Sequence, residues 1–352
     1  MRKVLVVWYE HFGYLESMVK ALNSIDGIEA DKFELEYFNN VGSDGQKLLT
    51  KLGIYDYQRL HMSKMRQMFW NKCKSYKPNT IIVLNGNVRA IFDDEFVRYA
   101  NEHNIDTILW FMDTIRGSEH HDKSYLESFK KIYTVEDDDI EYIQDNYGVA
   151  GAQYLPLGAN KEVYHGSNVE NKLHDISFVG VSDSKRLKVL DHVAQYSSKH
   201  NLKMVVYGQM WKQRPCIQRI KHGSRFKKKY KELYSFTVNK YITQQESAKL
   251  YQQSKVCLNI IAERHSSPNP RTFEILATGA FQLVEYNKTC AKLLENGKHL
   301  VMYNDLDELD KLLDYYLNNA AARENIAKNG AQAAKKMYLM ENSVRKIISD
   351  LK

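Results

Sequence analysis

Short apolar runs alternate along the chain with longer stretches in which apolar positions recur every three to four residues. In the first half the runs are Lys3–Trp8, Phe33–Phe38, Thr80–Leu84, Thr107–Phe111 and Lys131–Val135. VLVVW, IIVL and ILWF are continuous rather than alternating, which is how strands read when a parallel sheet is covered on both faces. Helical patterns lie between them, at Gly13–Ser24, Asp93–Glu102 and Asp137–Tyr147. Strand alternating with helix predicts a doubly wound α/β domain.

The pattern restarts after Leu155–Ala159. New strands are predicted at Asp175–Val179, Lys203–Tyr207, Val256–Ile261, Phe281–Glu285 and Leu300–Tyr303. Helices are predicted at Ser184–Lys199, Gln244–Gln253, Pro270–Ala277 and Asp305–Asn318, with two more at Ala320–Met337 and Asn342–Leu351. LPLGANKEVY reads as a crossing between two domains of similar design. The expected organisation is residues 1–158, residues 159–338, and a C-terminal helix at 339–352 that packs back on the first domain. Two such domains face a cleft, and ligands bind where strand C-termini and helix N-termini meet it. Periodicity supplies this site but no reaction.

A length of 352 residues fits two domains, and 43% hydrophobic with 26% charged residues excludes a disordered or fibrous chain. The net charge of +7 is too modest to indicate nucleic acid, and no nucleic-acid motif accompanies it. The charge is uneven, however: Lys212–Lys231 holds nine Lys or Arg and no acid. That segment is either a solvated helical face or a contact with anionic lipid headgroups, with Phe226 and Tyr230 placed to insert shallowly beside it. Cys73, Cys216, Cys257 and Cys290 lie far apart with no CxxC, and the histidines show no zinc-like spacing. His120 and His121 are adjacent and read as a solvated loop. Reduced thiols, an N-terminal apolar run too short for a secretory signal and no run long enough to span a bilayer predict a cytoplasmic protein without a metal.

The most informative stretch is SSPNPRTFEILATGAFQLVEY, Ser266–Tyr286. Asn269 and Pro270 start a helix, Arg271, Thr272 and Glu274 occupy its first turn, and Gly279 ends it before the next strand. A helix N-terminus attracts anions, Arg271 adds a fixed positive charge, and a carboxylate there can accept two hydroxyl hydrogen bonds from a ribose diol. An ordinary buried helix with an acidic first turn has the same spacing.

This segment resembles the donor-binding region of GT-B glycosyltransferases, in the group typified by the spore-maturation protein CgeB, through Asn269, Arg271, Phe273, Glu274, Ala277, Gly279, Ala280 and Phe281. Upstream, DISFVGVSDSKRLKVL resembles the family's first strand and loop of the C-terminal domain, with Gly180 and Arg186. LKMVVYGQMW resembles the next strand, with Tyr207, Gly208 and Trp211, and KVCLNI the strand before the donor loop. Downstream, LDYYLNNAAARENIAKNG resembles the family's late helices. In the first half, ILWFMDT and YLPLGAN are also similar. The resemblance implies a GT-B fold of two Rossmann-like domains and transfer of a sugar from a nucleotide-sugar, UDP being the commonest. It implies no metal, the leaving diphosphate being stabilised by helix dipoles and basic side chains. Glu274 would hold the ribose, Arg186 and Arg271 the phosphates, and Asn269, Thr272 and Phe273 would bind the donor beside them. Gly180 would admit the backbone closely, and Tyr207, Gly208 and Tyr241 would lie toward the base or sugar. One departure is plain: the paired glutamates of many retaining members would place a Glu at position 266, where this chain has Ser266.

The general base is expected from the first domain. Asp113 follows the strand ILWF and could take a proton from an acceptor hydroxyl; an Asp capping the next helix has the same position. His11, just after the first strand and before Gly13, is the second candidate. The expected function is glycosyl transfer to a glycan, lipid-linked or protein acceptor in surface or coat glycan assembly. A nucleotide-sugar epimerase on the same plan and a non-catalytic nucleotide-binding coat protein are the competing readings.

Overall fold

A computed structural model describes residues 1–9, 13–36, 45, 57–85, 91–116, 122–166, 172–209 and 216–351, without the side chains of 57–58 and 216–222. The chain divides into two compact units, Met1–Pro156 with Ser343–Lys352, and Leu157–Asn342.

The first unit is built on six parallel strands, β1 (Arg2–Trp8), β2 (Ile28–Glu34), β3 (Thr80–Leu84), β4 (Asp106–Phe111), β5 (Lys131–Thr134) and β6 (Gln153–Tyr154), in the order β2-β1-β3-β4-β5-β6. Val4–Val7 and Ile81–Leu84 are inaccessible to solvent, as continuous apolar runs require. The second strand departs from the expectation of Phe33–Phe38. It begins earlier, pairing Arg2 with Ile28 and Trp8 with Glu34. As an edge strand it buries only Ala30 and Phe33, so it carries no long apolar run to announce it. A 20-residue helix, Tyr57–Tyr76, was not among those read from the pattern. It seats Phe69 among Phe33, Phe92 and Phe96, with ring centroids 5.1–5.3 Å apart. The end of the chain completes this unit: Ser343 Oγ donates to the Pro156 carbonyl (2.9 Å) and Tyr133 Oη to Asp350 (2.7 Å).

The second unit has five parallel strands, β7 (His174–Val179), β8 (Met204–Tyr207), β9 (Ser254–Asn259), β10 (Gln282–Glu285) and β11 (Val301–Tyr303), in the order β11-β10-β9-β7-β8. From β7 the chain steps to β8 on one side, then returns to β9 on the other. The strand order therefore reverses between β7 and β9, the place where open α/β sheets bind ligands. Apolar cores cover both faces, one around Phe178, Leu190 and Leu283, the other around Phe273, Leu276 and Val284.

The basic segment folds as helices Cys216–Lys229 and Lys231–Phe236, with 212–215 outside the described residues. The expectation that Phe226 inserts into a bilayer is not met. Its ring is 7% exposed and packs into the core, because an apolar residue in a basic helix is what docks that helix on its domain. Arg225, Lys227, Lys228, Lys229 and Lys231 remain exposed. Among the described residues no helix is long and apolar enough to cross a membrane.

Candidate functional site

The ten donor-site residues singled out in the sequence lie at the end of β8 or in the segments that follow β7, β8 and β9. At the end of β8, Tyr207 gives its carbonyl to the Gly180 N–H (2.9 Å), and the Gly208 N–H reaches the Lys240 carbonyl (3.0 Å), bringing the neighbour of Tyr241 alongside. Tyr241 itself is 47% exposed. Gly208 has φ +133°, and a Cβ there would stand 1.8 Å from the Gly180 carbonyl oxygen. No side chain fits between these two strand ends, and both glycines are buried.

The helix Ser184–Lys199 starts directly after β7. Asp183 caps it, its Oδ1 accepting from the Arg186 N–H at 2.8 Å. Arg186 is 6% exposed. Its Nε donates across the switch point to the Ile260 carbonyl (3.0 Å), just past β9, and its Nη1 to the Val181 carbonyl (2.9 Å). The Asp183 carboxylate lies 3.6 Å from Nε. Burial, and then repulsion from Arg271, pushes this guanidinium down to about 10; Asp183 opposes that shift and Arg264 adds to it. Three arginines thus act on one another at a single edge, and Arg186 remains protonated at neutral pH. Arg271 is half-buried and makes no hydrogen bond or ion pair among the described residues. Such a gathering of cations suits an anionic ligand.

Arg271 and Glu274 are carried by the helix Pro270–Ala277, with Asn269 at its cap and Pro270 in its first turn. Gly279, at φ +70°, ends it before β10. Asn269 and Thr272 are occupied locally. Asn269 Oδ1 accepts from the Thr272 N–H (3.2 Å), and both side chains join Asn259 and Gln282 in a buried polar cluster. Phe273 is fully buried and stacks on Tyr338, 4.7 Å between centroids. Glu274 is 4% exposed. Its charge, after burial itself, raises the fully buried Tyr251 hydroxyl above the usual tyrosine range, while Arg271 acts the other way. Asn259 and Gln282 are the polar residues here that sequence reasoning missed. Both sit within apolar strand runs, and nothing in their spacing to Asn269 marks a contact.

In the first unit Asp113 follows β4, half-buried, with Oδ1 accepting its neighbour Thr114's N–H at 2.9 Å. His11 lies outside the described residues, as do Trp211, His120 and His121. The loop after Asp113 is held by Asp139, which sequence reasoning did not single out. Fully buried, it accepts from Thr114 Oγ1 and the Ile115 N–H (2.9 Å each) and pairs with Arg116 Nε (2.9 Å). Burial pushes its carboxyl up, against the pull of those partners.

The comparisons with known proteins bear on the fold. A family profile described as glycosyl transferase-like matches residues 188–349. No curated protein matches the chain. Solved structures match along nearly its whole length. Sucrose-phosphate synthase from Thermosynechococcus elongatus superposes with a TM-score of 0.67 at 11% identity, covering 100% of this chain and 99% of that one. A glycosyltransferase from Rickettsia africae superposes at 0.67 and 14% identity, covering 99% and 97%. Anabaena Alr3699/HepE, solved in complex with UDP and glucose, superposes at 0.63 and 12% identity, covering 100% and 99%. The fold is GT-B, and residues 188–349 are similar to the glycosyl transferase-like profile.

Proposed function

We propose that the chain is a GT-B glycosyltransferase that takes its sugar from a nucleotide-linked donor, most simply a UDP-sugar, and acts in surface or coat glycan assembly in the manner of the CgeB-like group. The observation that carries this reading is the gathering of positive charge at the β7/β9 switch point, where Arg271 and Arg264 both act on the buried Arg186. Arg186 and Arg271 stand there in the first turns of two helices, whose dipoles favour an anion. A diphosphate leaving group develops negative charge as the sugar departs. Fixed cations and helix ends stabilise that charge without reorganising, so no metal is required. Glu274 is the residue proposed for the ribose hydroxyls, and the backbone of Gly180 and Gly208 for close approach of the ligand. Asp113 is the proposed base for an acceptor hydroxyl, with His11 the next to test. Gly180, Tyr207, Gly208 and Tyr241 lie together, which supports their place in the same donor site.

A thermal-stability screen against nucleoside diphosphates and their sugars tests the reading. A true ligand at 100 times its dissociation constant adds about 2.7 kcal/mol of stability. No shift with any nucleotide would contradict a donor site. Transfer to an acceptor, rather than donor turnover alone, separates the transferase from an epimerase.

The setting proposed for this activity is the cytoplasm, with weak contact between the exposed Arg225–Lys231 cations and anionic lipid. With Phe226 buried, the contact would be electrostatic, at about 1 kcal/mol per basic residue, and reversed by salt. Equal sedimentation of wild type and a Lys227/Lys228/Lys229→Glu variant with phosphatidylserine vesicles would dismiss it.

A further inference from the structure

The two arginines that define the anion site repel each other, yet they stand on different elements. Arg186 is on the helix that follows β7. Arg271 is on the helix that follows the loop after β9. Like charges of this kind separate unless something holds their carriers, and among the described residues the carboxylate paired with Arg186, that of Asp183, caps Arg186's own helix. The holding groups are in two consecutive residues at the end of β9. The Ile260 carbonyl takes the Arg186 Nε–H at 3.0 Å. The Asn259 side chain takes the other carrier. Its Nδ2 lies 2.9 Å from Gln282 Oε1, 3.0 Å from Thr272 Oγ1 and 3.2 Å from Asn269 Oδ1, and its Oδ1 accepts from Asn269 Nδ2 at 2.9 Å. Asn269 caps the helix, Thr272 is in its first turn, and Arg271 lies between them. Gln282 ties the cluster to β10 and back to the Thr272 carbonyl at 3.3 Å.

Asn259 is 1% exposed and Gln282 wholly buried. Neither can reach a ligand without unmaking the cluster. A buried amide that satisfies its donors and its acceptor at once is rigid, because each partner left alone would be a desolvated polar group. An apolar residue at 259 would fill strand β9 as well; the amide adds a fixed distance and angle between strand and helix cap.

We infer that Asn259 is a positioning residue for the diphosphate site. It braces the first turn of the Pro270–Ala277 helix, and with it Arg271, against repulsion from Arg186, so that both guanidinium groups are set before the ligand arrives. The inference rests on reading this edge as a diphosphate site. It assigns to Asn259 a role in affinity exerted entirely through Arg271.

The test is a double-mutant cycle read by calorimetric titration of UDP. Asn259→Ser removes the amide and leaves a small polar group; Arg271→Met removes the cation whose position is at issue. Expected is a loss of about tenfold or more in UDP affinity for Asn259→Ser alone. In the Arg271→Met background the same change should have less than about twofold effect, because residues acting through one another are not additive. A purely structural asparagine predicts the reverse: a lower melting temperature with the same fractional effect on affinity in both backgrounds. That additivity, or unchanged affinity in a folded Asn259→Ser protein, would overturn the inference. If Asn259→Ser fails to fold, Gln282→Met removes one partner from the cluster and is read in the same cycle. Wild type that binds no nucleoside diphosphate would refute the site itself, an outcome distinct from a brace without effect.

Discussion

Replacing Gly208 by alanine probes the packing of the strand ends beside the proposed donor site. The added Cβ would stand 1.8 Å from the Gly180 carbonyl oxygen and 2.6 Å from its carbonyl carbon. Ordinary non-bonded contact needs roughly 3.5 Å, so the ends of β7 and β8 must part by well over 1 Å. Three hydrogen bonds depend on that approach: Gly180 N–H to Tyr207, Gly208 N–H to Lys240 and Ser182 N–H to Gln209, all 2.9–3.0 Å. Losing two of them costs about 1–3 kcal/mol in total, and holding alanine at φ +133° about 1–3 kcal/mol more. The sum, about 2–6 kcal/mol, is a large part of the stability of a typical domain. At about 2–4 °C per kcal/mol for a unit of this size, the melting temperature should fall by roughly 5–20 °C. Gly279→Ala is the control. It also sits at positive φ, +70°, but nothing lies within 4 Å of its would-be Cβ. It should cost only about 1–2 kcal/mol of conformational strain. Thermal denaturation of both variants by circular dichroism separates crowding from backbone preference. Gly208→Ala melting no lower than Gly279→Ala would refute the close approach of the ends of β7 and β8.

Three further outcomes follow from the structure. Asp113→Asn should leave UDP affinity and melting temperature unchanged while slowing transfer at least about 100-fold, the usual scale of general-base catalysis; a near-normal rate moves the base elsewhere. Glu274→Ala should weaken UDP binding about ten- to hundredfold if its carboxylate holds the ribose, since a charge-assisted hydrogen bond contributes about 1.5–3 kcal/mol; a lower melting temperature with unchanged affinity would make Glu274 a core residue only. Asp175 joins the starts of β7, β8 and β9 through Lys255 Nζ (2.7 Å) and the Lys203 N–H (2.8 Å). Burial raises its carboxyl, but these partners outweigh burial and hold it below the ordinary range. A depressed folded-state value stabilises above the unfolded value of about 3.9 and is lost as pH falls through the folded one. Denaturant titrations should therefore show Asp175→Asn less stable than wild type at pH 7, with the gap closing below about pH 4. A gap independent of pH would contradict the ion pair.

The parallel sheets were legible because strands buried on both faces must be apolar without interruption. VLVVW and IIVL could be little else, and their positions agree with β1 and β3 within a residue. The edge strand β2 was misplaced because only two of its seven residues face the core. The helix Tyr57–Tyr76 was passed over because its inward row, His61, Met65, Phe69 and Cys73, is a single file among charged neighbours. The donor-site segment was recognised from local grammar: Asn and Pro before a helix, Gly after it, Arg and Glu within. What that grammar hid is non-local. Asn269 and Thr272 looked like ligand contacts, yet both face Asn259, ten and thirteen residues away, in a cluster that exists only once β9 and β10 lie side by side. Arg186 was found by resemblance, but its burial and its bond to Ile260 across the switch point depend on strand order, which no local pattern encodes.

The central claim is that the β7/β9 edge of the second unit is charged for a nucleoside diphosphate. Calorimetric titration of UDP into wild type and Arg271→Met, with the melting temperature of each, tests it most directly. Arg271 bonds to nothing among the described residues and repels the buried Arg186, so removing its charge should leave the fold as stable as before or slightly more so. UDP affinity should fall about tenfold or more, the loss of one charge-assisted contact. An Arg271→Met protein that binds UDP as tightly as wild type, or one that unfolds because Arg271 was holding the domain together, would contradict the account.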